Sequence, residues 1–414
     1  MEKVLMRLAL IIDDYLPRST RVGAKMFHEL ACHYAALGHD VTVITPEQGQ
    51  QTKLVKSVID NVKVWRFSSG AIKDVPKVKR AVNETLLSTR AWNAISHEVK
   101  PDTFDGIVYY SPSIFFGGLV SKIKVRCQCK AYLVLRDLFP QWVIDAGMIK
   151  QGSLIERYFR FFEKFSYEQA DTIGLMSENN QLLFNEITDH RYTSEILRNW
   201  AELVPHKLSS QKDSIRRQLN LEDKVIYFYG GNIGYAQDMA NLMRLARAMS
   251  SYRKAHFLFV GQGDEVALIN QLAKEWGLNN FTYLPSVDQN EFKDLLADID
   301  IGLFSLSAQH TAHNFPGKLL GYMVQSIPIL GSVNRGNDLL DIVNDNNAGM
   351  ISVNGEDEAL FNNALSLYEN VTLRKEIGAN AYCLLKQEFS VQAAANAILE
   401  ALKEQGNRMK FVDI

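Results

Sequence analysis

Short apolar runs rich in β-branched residues alternate along this chain with longer segments in which apolar residues recur at helical spacing. Each run is long enough for a buried strand, and each intervening segment is long enough for a helix. This alternation is typical of β-α-β units, whose strands form parallel sheets covered by helices. The predicted strands form two series, 8–12, 41–44, 62–67, 106–110, 131–135 and 172–176, and then 225–229, 256–260, 281–284, 301–304, 327–330 and 350–353.

The break between the two series predicts two domains, which the length of 414 residues also favours. We expect an α/β protein with two Rossmann-like, doubly wound parallel-sheet domains at residues 1–204 and 205–390. The remainder, 391–414, begins with an Ala-rich helix that Ser390 caps and ends in a tail without a recognisable pattern. Ligands of such sheets bind at the carboxyl ends of the strands, so the loops that follow the strands are the candidate sites.

The composition indicates a soluble globular protein: 47% of the residues are hydrophobic, 22% are charged, and no apolar run reaches the roughly 18 residues of a membrane span. The run from Val4 to Ile12 contains Arg7 and precedes two aspartates, which predicts a first strand and not a secretory signal. A net charge of −2 argues against nucleic-acid binding.

The four cysteines predict reduced thiols in a cytosolic protein, because they show no C-x-x-C motif and no histidine at the spacing of a structural zinc site. Cys127 and Cys129 fit either a metal site or two strand residues, and the second case is the more common.

Positive charge is concentrated in residues 1–130, which hold 19 Lys and Arg against 12 Asp and Glu. Two segments there, 73–92 and 114–126, combine basic residues with aromatic rings and apolar residues at helical spacing. Helices of this composition lie on anionic bilayers, with the rings buried and the cations at the headgroups. The same composition also fits helices that pack on a core and expose one solvated face.

Candidate residues of the first domain follow its first and fifth predicted strands. The first loop carries Asp14, three cations that include Arg21, and Gly23, ahead of a helix over 26–37. This arrangement fits either a diphosphate at the helix start or a solvated loop. After the fifth strand, Asp137 follows an arginine and precedes a proline turn. Its carboxylate suits a base that meets a substrate hydroxyl, and an ion pair that only fixes the loop is the alternative.

Three loops of the second domain have features that favour a phosphate. Glycines directly after two strands let a backbone approach a phosphate closely, and the helices that follow present their N-termini. A helix over 318–325 that opens at Gly317-Lys318 adds a cation to its free N–H groups. Each loop alone also fits an ordinary connection, but three at one sheet edge favour an anionic ligand. The residues concerned are Gly230, Gly231, Asn232, Gly261, Gly263, Gly317 and Lys318.

Over nearly its whole length the chain resembles the GT-B glycosyltransferases of family four, which are retaining nucleotide-sugar enzymes. The matching stretches are 11–21, 25–30, 38–45, 136–142, 197–200, 230–234 and 314–323. Within the family the chain looks closest to the WbuB-like branch, the L-fucosamine transferases of bacterial O-antigen and capsule biosynthesis. The resemblance implies two domains that face each other across a cleft, with a C-terminal helix that crosses back to the first domain.

The resemblance also implies roles for the two domains and for single residues. The first domain would bind the acceptor and face the membrane, and the second would bind the donor. The loops of Gly23 and Gly231 would hold the donor diphosphate from either side, Gly261 and Gly263 would border the base, and Asn199 would mark the interdomain crossing. The implied donor-binding residues are Gly23, Arg21, Asn199, Gly231, Asn232, Gly261, Gly263, Gly317 and Lys318.

The chain departs from the family pattern at several of these positions. His313 and Gly321 occupy the two glutamate positions of the usual E-x7-E motif. The usual Arg and Lys after the Gly-rich strand are replaced by uncharged residues, and the usual histidine after the fifth strand is replaced by Arg136-Asp137. Lys318 therefore has to carry more of the diphosphate's charge.

The activity that the resemblance implies is a retaining, metal-independent hexosyl transfer. The donor would be a UDP-sugar such as UDP-N-acetyl-L-fucosamine or a related 6-deoxy-aminosugar, and the acceptor a saccharide on undecaprenyl diphosphate at the cytoplasmic face of the inner membrane. In same-face attack the donor phosphate assists deprotonation of the acceptor while Lys318 stabilises the departing UDP. Asp137 or Asp14 would orient the acceptor hydroxyl or the sugar.

Two other classes of protein follow from what the sequence lacks. The missing glutamates and histidine fit a non-catalytic GT-B scaffold or binding subunit of a polysaccharide assembly complex. An oxidoreductase is disfavoured because no G-x-G-x-x-G fingerprint follows the first strand. We do not interpret any D-x-D pair as a metal site, and we expect no cofactor besides the UDP-sugar.

Overall fold

The computed structural model describes residues 5–17, 19, 21–71, 76–111, 113–145, 147–201, 203–208, 214–308 and 316–403. The chain forms two compact units, residues 1–198 with 391–414 and residues 199–390. The first boundary therefore comes slightly earlier than the sequence predicts. Across the described ranges, no helix is both long enough and apolar enough to cross a bilayer.

The first unit is built on an eight-stranded sheet. Its strands are β1 Arg7–Ile11, β2 Asp40–Gln48, β3 Leu54–Ile59, β4 Val62–Ser69, β5 Gly106–Ser111, β6 Lys130–Leu135, β7 Thr172–Leu175 and β8 Ser194–Ile196. Their order is β3-β4-β2-β1-β5-β6-β7-β8, and all neighbours are parallel except the β3–β4 hairpin. The predicted strands are confirmed, but the apolar pattern misses β3, which is largely exposed, and β8, which is short.

Strand order reverses beside β1 in this sheet. From β1 the chain continues to β2 on one side and later returns with β5 on the other side. Open α/β sheets bind ligands at such a switch point, outside the carboxyl ends of the strands. The loop that contains Asp14 follows β1, and Tyr110 lies near the end of β5, so both lie at this position.

Helices α1 to α7 follow the strands of this unit. They are α1 Val22–Ala36, α2 Lys77–Thr85, α3 Leu87–Ile95, α4 Gly117–Cys127, α5 Gln141–Asp145, α6 Leu154–Gln169 and α7 Glu178–Ile187. Helix α1 starts earlier than predicted, so Gly23 lies in its first turn. Cys127 ends α4, so the interpretation of Cys127 as a strand residue is wrong.

The aromatic residues of segment 114–126 lie in the protein core. Phe115 and Phe116 are 5% and 0% exposed and belong to the cluster that α3 and α4 form on the sheet. Lys122 Nζ and the Arg126 guanidinium lie 5.7 and 4.5 Å from the centroid of the Trp92 ring. The expectation that these rings enter a bilayer is therefore wrong, because the protein core already buries them.

The second unit is built on a six-stranded parallel sheet. Its strands are β9 Val225–Asn232, β10 Ala255–Gln262, β11 Phe281–Leu284, β12 Ile301–Ser305, β13 Ile329–Val333 and β14 Gly349–Val353. Their order, β11-β10-β9-β12-β13-β14, puts the switch point at β9. Every strand predicted here is confirmed, because each contains a short apolar run, which is largely buried except in the edge strand β11.

The helices of the second unit lie between and after these strands. They are α8 Ile215–Gln218, α9 Met239–Ala248, α10 Val266–Glu275, α11 Gln289–Leu296, α12 Gly317–Val324, α13 Asp338–Asp345, α14 Asp357–Glu369 and α15 Val371–Glu388. The helix predicted over 318–325 is α12, which starts one residue earlier.

The last helix, α16 Val391–Lys403, belongs to the first unit. It packs on α1 and β6, where the Tyr34 hydroxyl donates to the Ala395 carbonyl at 3.2 Å and Lys130 Nζ donates to the Ala401 carbonyl at 3.4 Å. The predicted return of the C-terminal helix to the first domain is thus confirmed, and the predicted tail lies outside the described residues.

Candidate functional site

Lys318 lies in the first turn of α12, and its side chain reaches the carboxyl end of β9. Its Nζ is 3.8 Å from the centroid of the Tyr229 ring. A Cβ placed on Gly231 would lie 3.6 Å from the same nitrogen. The structure therefore brings together Lys318 and Gly231, which the sequence predicts in separate phosphate-binding loops.

The ammonium group of Lys318 is buried, although the residue as a whole is partly exposed. Among the residues that the structure describes, Nζ has no hydrogen-bond partner. Burial lowers the pKa of this lysine to about 7. An aromatic face attracts a cation, but it does not replace the three hydrogen bonds that an ammonium can donate. The position therefore favours the approach of an anion, which would restore the charged form.

Tyr229 supports this lysine, and sequence reasoning misses it. The ring is buried in β9, and its hydroxyl donates to the carbonyl oxygen of Asn232 at 2.5 Å. The Asn232 side chain is turned to the loop, where Nδ2 donates to Gln237 Oε1 at 2.7 Å. These two bonds fix the end of β9 below Lys318. A buried strand tyrosine is common, so its identity alone gives no signal of this role.

The glycines of this edge allow backbone segments to approach each other closely. Gly231 has φ +119°, in the region that favours glycine. A Cβ on Gly261 would lie 1.8 Å from the Gly231 carbonyl oxygen, and one on Gly263 would lie 2.1 Å from the Ile233 carbonyl oxygen. Packing between β9 and β10 thus explains Gly261 and Gly263, and their predicted place beside a nucleotide base stays a prediction.

The start of α9 differs from the expectation that the helix after β9 presents its N-terminus to a phosphate. The Met239 N–H donates to Glu265 Oε2 at 3.0 Å, and the Tyr235 N–H donates to Asp264 Oδ1 at 3.3 Å. For the Met239 N–H, the first of α9, the expectation is wrong, because a carboxylate already accepts its hydrogen bond, and the Tyr235 N–H in the turn before α9 is occupied in the same way. Positive charge for an anion at this edge therefore comes from Lys318 and the start of α12, where Gly317 is exposed.

Polar side chains tie the carboxyl ends of β12 and β13 to α9. Asn241 Nδ2 donates to Ser305 Oγ at 3.1 Å and to Ser332 Oγ at 2.5 Å, and all three residues are buried. Such a network holds neighbouring strand ends in register. The sequence analysis misses these residues because their partners are distant along the chain.

Of the two positions where the family motif usually has glutamates, the structure describes one. His313 lies outside the described residues, and Gly321 lies on α12. A Cβ on Gly321 would lie 3.0 Å from Leu296 Cδ1 of α11. Close packing between these two helices therefore explains a small residue at this position.

In the first unit, Asp14 and Arg21 lie together before α1. Asp14 Oδ2 accepts from Ser19 Oγ at 2.5 Å and lies 3.8 Å from Arg21 Nε. The Arg21 N–H donates to the same Ser19 hydroxyl at 3.2 Å. The Arg21 side chain is 59% exposed. The predicted contact of this loop with a diphosphate stays a prediction.

Tyr110, which sequence reasoning also misses, lies among the predicted residues of the first unit. A Cβ on Gly23 would lie 2.8 Å from its hydroxyl oxygen, so glycine is needed for this approach. Burial raises the pKa of Tyr110 to about 12, with Arg136 and Arg21 opposing and Asp137 adding to the rise. These influences indicate that the start of α1 and the ends of β5 and β6 converge on one phenol.

Asp137 and Arg136 follow β6 with different degrees of burial. Burial raises the pKa of the half-buried Asp137, and the Arg136 charge opposes that rise. Arg136 is buried, its Nη2 donates to the Arg198 carbonyl oxygen at 3.2 Å, and burial lowers its pKa to about 10. A carboxylate with a raised pKa is a stronger base, which suits contact with a substrate hydroxyl.

A pocket of about 410 Å³ lies beside Asp14 in the first unit. Acidic, hydroxyl and amide groups and the Arg66 guanidinium contribute to its walls, a mixture that suits a ligand rich in hydroxyl groups. The lining residues are Asp13, Asp14, Tyr15, Thr45, Pro46, Glu47, Gln48, Gly49, Arg66 and Ser69.

Asn199 lies at the boundary between the two units, and a cluster of His28, Cys32 and Asp60 lies elsewhere in the first unit. Asn199 is the first residue of the second unit, so it lies at the boundary where the sequence analysis expects a crossing. The side chains of His28, Cys32 and Asp60, which are not among the candidate residues above, lie close together. The expectation that no cysteine has a histidine at metal-ligand spacing is wrong, because His28 and Cys32 lie one turn apart on α1.

Comparison with known proteins finds similarity to glycosyltransferases, with a family match that lies in the second unit. Residues 211–384 match the family described as "Glycosyl transferases group 1". The putative colanic acid biosynthesis glycosyl transferase WcaI of Escherichia coli (strain K12) is 26% identical over 302 residues, which cover 66% of this chain and 70% of that protein. The probable glycosyltransferase WbjE of Pseudomonas aeruginosa is 24% identical over 223 residues, 53% of this chain and 55% of that protein. The chain thus spans only about half the length of WbjE.

Among solved structures, Anabaena HepE in complex with UDP and glucose is similar over 96% of this chain and 99% of that chain, with a TM-score of 0.67 and 15% identity. At this identity the likeness concerns the fold alone. The chain thus has the GT-B fold, and its second unit carries the segment that matches the group 1 glycosyl transferases.

Proposed function

We propose that this protein is a glycosyltransferase that moves a sugar from a UDP-sugar to a lipid-linked saccharide during bacterial surface polysaccharide synthesis. The observation that carries this proposal is the buried Lys318 ammonium over Tyr229, beside the start of α12. A diphosphate would supply the anion that this position favours. The group 1 match and the similar fold of HepE, whose structure contains UDP and glucose, support a nucleotide-sugar donor.

In this proposal the second unit binds the donor and stabilises the leaving group. Lys318 and the N–H groups at the start of α12 balance the charge that develops on UDP as the glycosidic bond breaks. Gly231 allows the backbone to approach the phosphates closely. Acceptor attack on the same face as UDP departure retains the anomeric configuration and requires no metal. The configuration of the product, read by NMR, tests this mechanism.

The first unit binds the acceptor in this proposal. Asp137, whose burial makes it a stronger base, accepts a hydrogen bond from the attacking hydroxyl. Asp14 lines the pocket of about 410 Å³ and orients a sugar ring there. The acceptor is a saccharide on undecaprenyl diphosphate in this proposal, and the description of WcaI as a putative colanic acid biosynthesis glycosyl transferase supports a role in polysaccharide synthesis.

The transferred sugar is N-acetyl-L-fucosamine or a related 6-deoxy-aminosugar in this proposal. The resemblance to the L-fucosamine branch in stretches 11–21, 136–142 and 314–323 supports this choice. Turnover with a panel of UDP-sugars tests it, and a preference for UDP-glucose over every 6-deoxy-aminosugar donor would contradict it.

A lipid-linked acceptor implies work at the cytoplasmic face of the inner membrane. The core position of Phe115 and Phe116 moves our candidate membrane surface from segment 114–126 to α6. On this helix Leu154 and Phe161 are 81% and 64% exposed, and the exposed Arg157 lies between them along the chain. Apolar side chains next to cations suit an anionic bilayer.

A non-catalytic scaffold is the second candidate function. The packing of Gly321 against Leu296 favours it, because this helix face offers no carboxylate where the family usually has a glutamate. Such a protein would bind a nucleotide sugar or a polysaccharide component without turnover. Transfer by the parent protein with any UDP-sugar excludes it.

UDP binding is the first prediction. UDP without magnesium should raise the melting temperature, and ligand at about 100 times its Kd adds about 2.7 kcal/mol to the free energy of unfolding. Lys318→Met should abolish this shift, because methionine keeps the volume without the charge. Lys274→Met, at an exposed position of α10, is the matched control and should keep the shift. Equal responses in the parent and Lys318→Met would refute the lysine's role, and a shift with NAD alone would refute the donor class.

The pH dependence of UDP binding is the second prediction. Free Lys318 has a pKa of about 7, and a bound diphosphate stabilises its charged form and raises that pKa. Above pH 7 binding therefore requires proton uptake, so affinity should fall by up to about tenfold per pH unit. Calorimetry between pH 7 and 9 in buffers of different ionisation enthalpy measures both the affinity and the proton uptake. Lys318→Met should show neither the slope nor the uptake, and a parent affinity that does not change with pH would contradict this prediction.

Separation of donor binding from transfer is the third prediction. Asp137→Asn should keep the UDP-induced thermal shift and reduce the transfer rate by about 100-fold or more, the usual loss when a base is removed. Asp102→Asn, at an 81% exposed position of the same unit, should leave both unchanged. A near-parental rate for Asp137→Asn would show that this carboxylate is not the base.

Membrane binding is the fourth prediction. The parent protein should sediment together with phosphatidylglycerol vesicles. Phe161→Ser should weaken this binding by about tenfold, because one large apolar side chain no longer enters the bilayer. Val58→Ser, on the 67% exposed strand position of β3, is the control. Equal loss in both variants, or no binding by the parent, would contradict the α6 surface.

A further inference from the structure

Three side chains with metal-binding atoms converge on the outer side of α1. His28 and Cys32 are four residues apart on this helix, so both lie on one face. Asp60 comes from the turn of the β3–β4 hairpin, where Asp60 and Asn61 have φ +48° and +64°. The donor atoms of His28, Cys32 and Asp60 all lie within 4.8 Å of one another.

The separations of these atoms are close to those of ligands around one zinc ion. Cys32 Sγ is 3.5 Å from His28 Nε2, and Asp60 Oδ2 is 3.0 Å from the same nitrogen. Tetrahedral zinc with bonds of about 2.0–2.3 Å separates its ligand atoms by about 3.2–3.6 Å. Cys32 Sγ also lies 3.9 Å from His28 Nδ1, so a rotation of the cysteine side chain toward the Nε2 lone pair is needed, together with a small movement of the Asp60 carboxylate, whose side chain is 71% exposed.

The second ring nitrogen of His28 is already held by a partner. Tyr15 Oη lies 2.8 Å from His28 Nδ1, and Tyr15 is buried. With the proton on Nδ1 donated to this oxygen, Nε2 is left with a lone pair for a metal, and Asp60 Oδ2 and Cys32 Sγ are its neighbours at 3.0 and 3.5 Å. Metal-binding histidines usually have their other N–H fixed in this way. The sequence analysis misses the cluster because Asp60 and Tyr15 come from loops outside α1.

We propose that His28, Cys32 and Asp60 form a zinc site that ties α1 to the β3–β4 hairpin. The set of one thiolate, one imidazole and one carboxylate suits zinc and similar transition metals, whereas magnesium and calcium prefer oxygen ligands. Water or a small ligand takes the fourth position, because the carboxylate side of the cluster faces solvent. The three ligands lie outside the residues assigned to sugar transfer, whereas Tyr15, which holds His28, also lines the pocket of about 410 Å³.

Zinc binding would stabilise the helix whose first turn carries Gly23 and whose preceding residue is Arg21. The ion would be released when Cys32 is protonated or oxidised, since only the thiolate is a ligand. Because its ligands come from α1 and from the β3–β4 hairpin, the site would act by holding these two elements together, and its test does not depend on turnover.

Metal content of the tag-free, full-length protein tests the proposal. After dialysis against zinc in the presence of a phosphine reductant, elemental analysis should find one zinc per parent chain and none in Cys32→Ser. Cys383→Ser, which removes the exposed thiol of α15, is the matched control and should keep one zinc. Cobalt in place of zinc should give a thiolate-to-cobalt absorption band in the parent and in Cys383→Ser only.

Competition with a chromophoric chelator measures the zinc affinity of each variant and so the contribution of each ligand. His28→Gln and Asp60→Asn should each weaken zinc binding by at least about tenfold, and Tyr15→Phe should weaken it by about tenfold through the loss of the Nδ1 partner. Retention of the UDP-induced thermal shift shows that a variant is folded. Zinc bound equally by the parent and Cys32→Ser, or no zinc bound by the parent, would overturn the proposal.

Discussion

The burial of one ammonium group against the face of Tyr229 is the constraint on which the carboxyl edge of the second unit's sheet depends. A cation without hydrogen-bond acceptors is costly to bury, and the aromatic face compensates only part of that cost. The hydroxyl of Tyr229 fixes the end of β9, and Gly231, whose φ of +119° favours glycine, lies next to the lysine side chain. Among the described residues the ammonium has no hydrogen-bond acceptor, so this arrangement favours the binding of an anion that would pair with it.

The first unit contrasts with this arrangement at Asp14, Arg21 and Arg136, because these charged groups already have partners. Asp14 interacts with Ser19 and Arg21, and Arg136 donates to the backbone at Arg198. Groups satisfied in this way contribute less to the capture of a dense anion and more to the orientation of neutral hydroxyl groups. The two sheets thus share one topology rule, a switch point at the carboxyl edge, but differ in the chemistry that they place there.

The sequence is sufficient to predict most strands and the start of α12, because buried parallel strands are continuous apolar runs and a Pro-Gly-Lys turn marks a helix start. It is not sufficient for Tyr110 and Tyr229, since buried strand tyrosines have no local signature of their contacts. The carboxylate that caps α9, Glu265, comes from the next loop, so the sequence around α9 gives no sign that this terminus is occupied. The sequence does not determine whether an aromatic side chain is exposed or buried, as Phe115 illustrates: a ring among cations can face either a bilayer or the core.

The return of α16 to the first unit affects the order in which the protein can be built. The ribosome releases the strands of the first unit, then the whole of the second, and only afterwards the helix that covers α1 and β6. Buried residues such as Ile398 and Leu402 therefore reach their positions last. Until then, the nascent first unit exposes the apolar surface that this helix later covers, which makes it a natural client for chaperones during synthesis.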